Sequence, residues 1–362
     1  MRKHLQILAP IIIAGALISA CSSPPTTVEP KFTGRLLLLT GEPENGANLV
    51  ELTGAGPGYN LSTIVSGVFE AVPSPDQTQL LYTTKDEIAL RDLRTGAVKS
   101  LIKGENFCLS WAPDGNHFSY KQTAGNQTKL LASDIEGEAK LIWEDRFGSG
   151  ERSAGAFGCG HWIAADRLIF DRLLGALATP NKGGETPKPN TTTLAILSGS
   201  VKLIDTERKW SIEAVCQAGS GALLRPHDQG EPYLGAKSLD DLKTLDPKPI
   251  SCSDCRFVGY AARSCVPFFM EQNESTSTDL FSLNPVNWQR QRGGHINQVF
   301  SPSARGLIKS SARLMVVGDG PDKLFLIDTE SGAIVSFFPK PPGSASSPNQ
   351  LQSPAPIVWI EN

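Results

Sequence analysis

An alternating apolar strand that ends on a small, turn-forming polar residue recurs along this chain, and internal repetition of this kind constrains a fold more than any single motif. It is read in IALRDLRTGAV reaching Asp92, LLASDIEGEA reaching Asp134, VKLIDTERK reaching Asp205 and LFLIDTESGAI reaching Asp328. Weaker copies end at Thr53 (ANLVELTGAG), Asp246 (LKTLDPKPI) and Asn284 (LFSLNPVNW). In chain order the intervals are 39, 42, 71, 41, 38 and 44 residues. All but one lie near 40, the period of the four-stranded antiparallel blades of a β-propeller. The long interval contains LATPNKGGETPKPNTTT, residues 177–193, a Pro/Gly/Thr-rich stretch without apolar periodicity that reads as a loop inserted in the fourth unit.

A second element precedes the first at constant offset. In VFEAVPSPDQTQLLYTT and FCLSWAPDGNHFSYKQ an apolar strand runs into Pro-Asp and a second strand begins. Proline presets φ for the turn and Asp or Gly supplies its hydrogen bonds, so the two strands form a hairpin. CGHWIAADRLIFDR and QVFSPSARGLIKSSARLMVV read as eroded versions. A blade is then strand a, turn, strand b, turn, strand c ending on Asp, turn, strand d, and one is legible nearly whole as CLSW, HFSY, LLAS and KLIWE.

The SPDQ and APDG turns, with a DLRTG-type turn one strand later, resemble the TolB-type propellers, relatives of the WD-repeat group. The resemblance spans residues 32–362, with clear motifs in three units, and implies an architecture more than an activity. The first unit, beginning GRLLLLTGEP, lacks a strand a, while PAPIVWIEN is an isolated apolar strand at the other end. Seven blades closed by that strand account for both, with six or eight as alternatives; closure removes an edge that invites aggregation.

The N-terminus carries a separate signal. Met1-Arg2-Lys3-His4 is cationic, Leu5 to Leu17 is almost wholly apolar, and the run is shorter than the ~20 residues of a membrane span. Ile18-Ser19-Ala20-Cys21 resembles the lipobox of bacterial lipoproteins. That resemblance implies a signal peptide over 1–20, cleavage before Cys21 and a lipid on its sulfur. Residues 21–31 (CSSPPTTVEP and Lys31) read as a Pro-rich tether before the propeller domain of 32–362. Several acyl chains would anchor stably where one is marginal. Ser22 after the cysteine points, by the same resemblance, to the outer membrane; the cell surface is the other placement.

Composition bounds the rest. Removing 20 of 362 residues leaves 342, enough for two average domains or one large all-β domain. Lys plus Arg number 34 and Asp plus Glu 37, a net charge of −3, which gives no clustered basic surface for nucleic acid. Cysteines other than Cys21 number six, an even set suited to an oxidising compartment: Cys108, Cys159, Cys216, Cys252, Cys255 and Cys265. Cys108 and Cys159 stand three residues before Trp111 and Trp162 on strand a of consecutive units. They are the pair expected to bridge, against the alternative of two unpaired buried thiols. Cys252-Ser253-Asp254-Cys255 has CxxC spacing, but no second pair completes a zinc site and no βαβ setting suits a redox motif, so structural disulfides are expected among Cys216, Cys252, Cys255 and Cys265.

No nucleophile elbow, Walker loop, H-E-x-x-H or EF-hand loop can be placed. Asp92, Asp134, Asp205 and Asp328 recur as turn residues; Trp111 and Trp162 are expected to pack between blades. The favoured function is non-catalytic: a lipid-anchored disc, without metal or cofactor, binding an envelope protein or an extracellular ligand. The alternative is a propeller enzyme acting on sugars or peptides at the channel mouth, which a converging carboxylate pair would favour. Loop 177–193 is expected to contribute to partner binding.

Overall fold

The computed structural model describes residues 32–41, 46–54, 60–146, 157–172, 191–207, 210–216, 221–226, 233–236, 247–250, 255–261, 264–273, 276–291, 293–301, 304–309, 313–320, 323–336 and 355–360. The signal peptide, Cys21, the tether, Asp246, Cys252 and residues 177–190 of the expected loop lie outside them. The described chain is all β, with no helix and therefore none long and apolar enough to cross a membrane.

Seven sheets follow one another along the chain. Blade 1 is β1 (Arg35–Thr40), β2 (Ala47–Thr53) and β3 (Asn60–Val68), and its innermost strand is β29 (Ala355–Ile360), antiparallel to β1. Blade 2 is β4 (Glu70–Pro73), β5 (Gln79–Thr83), β6 (Glu87–Asp92) and β7 (Val98–Lys103). Blade 3 is β8 (Asn106–Trp111), β9 (His117–Ala124), β10 (Gln127–Asp134) and β11 (Ala139–Arg146). Blade 4 is β12 (His161–Ala164), β13 (Arg167–Arg172), β14 (Thr191–Ile196) and β15 (Lys202–Glu207). Blade 5 is β16 (Trp210–Val215), β17 (Ala222–Pro226), β18 (Leu234–Ala236) and β19 (Lys248–Pro249). Blade 6 is β20 (Cys255–Tyr260), β21 (Pro267–Asn273), β22 (Ser277–Leu283) and β23 (Arg290–Gln291), with β24 (His295–Ile296) also on β22. Blade 7 is β25 (Arg305–Ile308), β26 (Leu314–Gly318), β27 (Leu324–Asp328) and β28 (Ile334–Ser336). This is a seven-bladed propeller whose first blade is completed by the C-terminal strand, as the leftover strands of the sequence predict.

Each sheet is buried on both faces, which explains strands that are apolar at every position. In RLLLLT of β1, alternate side chains point to opposite faces. Leu36 and Leu38 enter a cluster with Val316, Leu324 and Leu326 of blade 7, while Leu37 joins Leu80, Tyr82 and Ala89 of blade 2. One such cluster fills each blade boundary, seven in all among the described residues. At about 25 cal/mol per Å² of apolar surface, these shared wedges are the dominant stabilisation. Between blades 5 and 6 the fit is tight: a Cβ on Gly235 would lie 2.0 Å from the Trp288 ring, so only glycine lets that indole stack there.

The turn residues act as the repeat implies. Asp92 Oδ1 accepts the N–H of Arg94 at 2.9 Å and of Thr95 at 2.6 Å. Asp134 Oδ1 accepts from Glu136 and Glu138, and Asp328 Oδ1 from Glu330 and Ser331. Asn284 does the same for Val286. Each carboxylate or amide satisfies amides that a tight turn leaves unpaired.

The structure corrects the repeat assignment in the later blades. Asp205 lies in β15, the outer strand d, not at the end of strand c; strand c is β14, TTTLAI, and Thr193 Oγ1 donates to Asp205 Oδ1 at 2.7 Å. Residues 191–193, expected in the inserted loop, therefore belong to a strand. The Thr-rich run carries the β-branched side chains of a strand, and loop-like composition hid it. LKTLDPKPI likewise contributes strand d, since β19 is Lys248–Pro249. In blade 7, strand a is RGLI after the SPSA segment, not the VF before it.

Candidate functional site

Inner strands carry β-bulges, and these shape the surface around the axis. Register shifts fall between Phe107 and Ser110 of β8, Trp162 and Ala164 of β12, Ile212 and Ala214 of β16, and Phe257 and Gly259 of β20. A bulge inserts an extra residue and re-aims its side chain. In β16 and β20 the extra residues are Glu213 and Val258, and both line one cavity of about 250 Å³ shared by blades 5, 6 and 7.

The cavity is lined by polar groups on one part of its wall and by Phe257, Val258, Met270 and Val317 on another. Arg225 Nε lies 3.1 Å from Glu213 Oε2, and its Nη2 donates to Glu213 Oε1 at 3.2 Å and to Tyr233 Oη at 2.7 Å. Arg256 donates from Nη1 to the Ser301 carbonyl and from Nη2 to Met270 Sδ at 3.4 Å. Burial pushes the Arg256 pKa down and the neighbouring Arg305 adds to that, while Asp319 and Tyr233 oppose it. Arg305 is exposed at the cavity, and its side chain makes no hydrogen bond or ion pair with another described residue. Glu213 is the one carboxylate among the described lining residues, and it is engaged by Arg225.

Buried titratable groups elsewhere face packing. Burial pushes the pKa of His161, on inner strand β12, down to about 4, so its imidazole is neutral at physiological pH. Lys121 is pushed down to about 8 by burial, against the charge of Asp145, and donates to the Phe157 carbonyl at 2.6 Å with that residue's ring 4.3 Å away. No cluster of three or more His, Cys, Asp or Glu suited to a metal occurs among the described residues.

The residues singled out in the sequence sit apart from this cavity. Cys108 in β8 is bonded to Cys159, Cα to Cα 5.3 Å, although Cys159 precedes β12 instead of standing within it. Cys216, after β16, is bonded to Cys265, before β21, at 5.6 Å. Cys255 is disulfide-bonded as well. The first bridge ties blade 3 to blade 4 and the second ties blade 5 to blade 6. Trp111 and Trp162 are buried between blades, donating from Nε1 to the Val72 carbonyl at 2.9 Å and to the Ser110 carbonyl at 3.1 Å. The Arg-lined cavity is built from three separate repeats, none with a motif. Its one sequence signal is that blades 5 to 7 lack clear copies of the Pro-Asp turn.

No protein-family model matches the sequence, and no curated protein matches it. Among solved structures the chain is similar to the β-propeller domain of the Trilobed protease from Pyrococcus furiosus, at 13% identity over 86% of this chain and 100% of that one, TM-score 0.52. It is also similar to a Bacteroides fragilis protein proposed to be a 6-phosphogluconolactonase, at 11% identity over 94% and 100%, TM-score 0.52. TolB from Acinetobacter baumannii is matched more loosely, at 16% identity and a TM-score of 0.42, over 71% of this chain; the chain spans 62% of TolB, less than two thirds of its length. At these identities the likeness assigns the propeller fold alone.

Proposed function

We propose that this protein is a non-catalytic binding propeller of TolB type, held on a membrane by lipid at Cys21 and presenting its disc to an envelope protein or an extracellular ligand. The observation that carries the reading is the make-up of the cavity. Among the described residues, its lining pairs its single carboxylate with a guanidinium, and the rest are arginines, a tyrosine and apolar side chains, which suit recognition better than proton transfer. The enzyme alternative draws on the likeness to a protease propeller and to a protein proposed to act as a lactonase. Glycoside chemistry needs two converging carboxylates, and the described lining of this cavity offers one.

The orientation of the disc supports anchoring. Arg35, where β1 starts, pairs with Ile360 at the end of β29, and its Nη1 donates to the Leu93 carbonyl in a c–d turn of blade 2 at 2.9 Å. The chain therefore enters the disc on the face of the a–b and c–d turns. The cavity opens where β20 and β25 begin, and Arg225 and Tyr233 flank the b–c connection of blade 5, so it belongs to the opposite face. Lipid at Cys21 would leave that face turned away from the membrane. β13 ends and β14 begins on the cavity face too, and in this reading the sequence between them, including 177–190, contributes to partner binding.

A pull-down of the mature protein from its own envelope, with Cys21→Ser as control and mass spectrometry of bait and companions, tests this. An acyl mass on Cys21 and a stoichiometric companion are expected. The absence of both an acyl mass and a companion would overturn the reading.

A further inference from the structure

We propose that the cavity between blades 5, 6 and 7 binds an oxyanion, a carboxylate or phosphate on a small organic body, held by Arg256 and Arg305. The proposal rests on the ligand-binding reading above and names the chemistry of the ligand. Among the described residues, three guanidiniums and one carboxylate line the cavity. Both oxygens of Glu213 and the Tyr233 hydroxyl engage Arg225, so that pair is neutral within itself. Positive charge remains on Arg256 and Arg305, offset in part by Asp319 beside Arg256.

Arg256 uses two of the five N–H donors of a guanidinium, one on the Ser301 carbonyl and one on Met270 Sδ, which leaves three for a ligand. Arg305 lines the cavity, and its guanidinium makes no hydrogen bond to another described residue. Arg305 also lies close enough to Arg256 for their charges to oppose each other. The carboxylate that counters this, Asp319, has its Oδ1 engaged by the Ser301 N–H at 2.9 Å. An anion set between the two guanidiniums relieves the repulsion and gains charge-assisted hydrogen bonds at a partly desolvated site, where such bonds are stronger than in water. A cation is excluded by the same charges.

The rest of the wall defines the ligand's body. Phe257, Val258, Met270 and Val317 present apolar surface beside the cationic groups. At about 250 Å³ the cavity lies below the usual ~300–1,000 Å³ of drug-sized sites, which fits a head group with one ring or a short chain.

The test is calorimetric titration of the mature protein with benzoate, phenyl phosphate and benzyl alcohol at low and high salt. At least one of the two anions is expected to bind saturably, more weakly at high salt because the interaction is screened, while benzyl alcohol does not bind. The stronger of the two identifies the head group. Arg305→Ala, at an exposed position where folding is safe, is expected to weaken binding at least tenfold, Arg305→Lys to recover part of it, and Lys99→Ala on blade 2 to leave it unchanged. Arg256→Lys is expected to weaken binding too, read alongside a thermal melt because Arg256 also holds Ser301. Failure of both anions to bind, or binding that Arg305→Ala leaves intact, overturns the proposal. A companion still recovered in the envelope pull-down under those outcomes would leave the scaffold reading standing.

Discussion

Glu70 on the inner strand of blade 2 accepts the backbone N–H of Leu109, in blade 3, at 3.0 Å. The Cys108 amide bonds to the same carboxylate, and both residues lie in the bulge of β8, where Cys108 takes a φ of +61°. The side chain thus satisfies two amides that the bulge withdraws from the ladder. Burial raises the Glu70 pKa above its ordinary value, and the two backbone bonds offset only part of that. With the folded pKa above the unfolded one, folding takes up a proton between them, and stability falls as pH rises through that window. Glu70→Gln, which keeps an acceptor without the charge, is expected to flatten this fall in thermal melts from pH 4 to 8. Glu70→Ala is expected to cost about 1–3 kcal/mol at any pH by stranding the amides.

The Cys108–Cys159 bridge closes a separation of 51 residues and ties blade 3 to blade 4. Loop-closure entropy sets its contribution at up to about 4 kcal/mol. Replacing both cysteines with alanine is expected to lower unfolding stability by about 2–4 kcal/mol in a denaturant titration. An unchanged midpoint would show that the wedge of Trp162, Phe157 and Phe170 fixes this boundary alone.

Trp359 of β29 is buried with Leu36, Leu38 and Val316, and its Nε1 donates to the Thr33 carbonyl at 2.8 Å. Trp359→Ala is expected to cost about 3–5 kcal/mol. Ending the chain before Ala355 is expected to do more: β1 becomes an open apolar edge, and size-exclusion chromatography should show aggregates instead of monomer.

Asp328 separates charge from geometry at a repeat turn. Burial works against its ionisation, but the Ser331 and Glu330 amides and the Arg313 guanidinium hold its pKa below the usual carboxylate value. Its stabilisation is therefore present above the unfolded carboxylate pKa and lost as pH falls through the folded one. Asp328→Asn keeps Oδ1 as acceptor and loses only an ion pair to the well-exposed Arg313, so a change within about 1 kcal/mol is expected at pH 7. Asp328→Ala is expected to cost about 1–3 kcal/mol. Urea titrations of both variants at pH 7 check the difference, and repeating them at pH 3 should narrow the gap between Asn and wild type.

How much of this was legible in the sequence depends on where local chemistry decides the structure. Asp92, Asp134 and Asp328 each hold their own turn within a few residues, so spacing alone revealed the blades. Asp205 misled because it bonds to Thr193 and lies 3.0 Å from Arg172 within the sheet, where an Asp after an apolar run looks the same as one at a turn. The cavity was invisible for a different reason. Glu213, Arg225, Arg256 and Arg305 meet only once blades 5, 6 and 7 have packed together, and the bulge that turns Glu213 into the cavity has no residue signature.

Closure by β29 also sets an order of events. The indole of Trp359 and the carbonyl it binds are 326 residues apart, so β1 must wait, one edge bare, until β29 has been made. Every boundary from blade 2 to blade 7 can assemble in sequence, but the ring seals in a single late step. A chain cut short in synthesis before β29 never passes that step. The bare apolar edge then stays open to pairing with other chains, so the presence of β29 is a condition of the folded state.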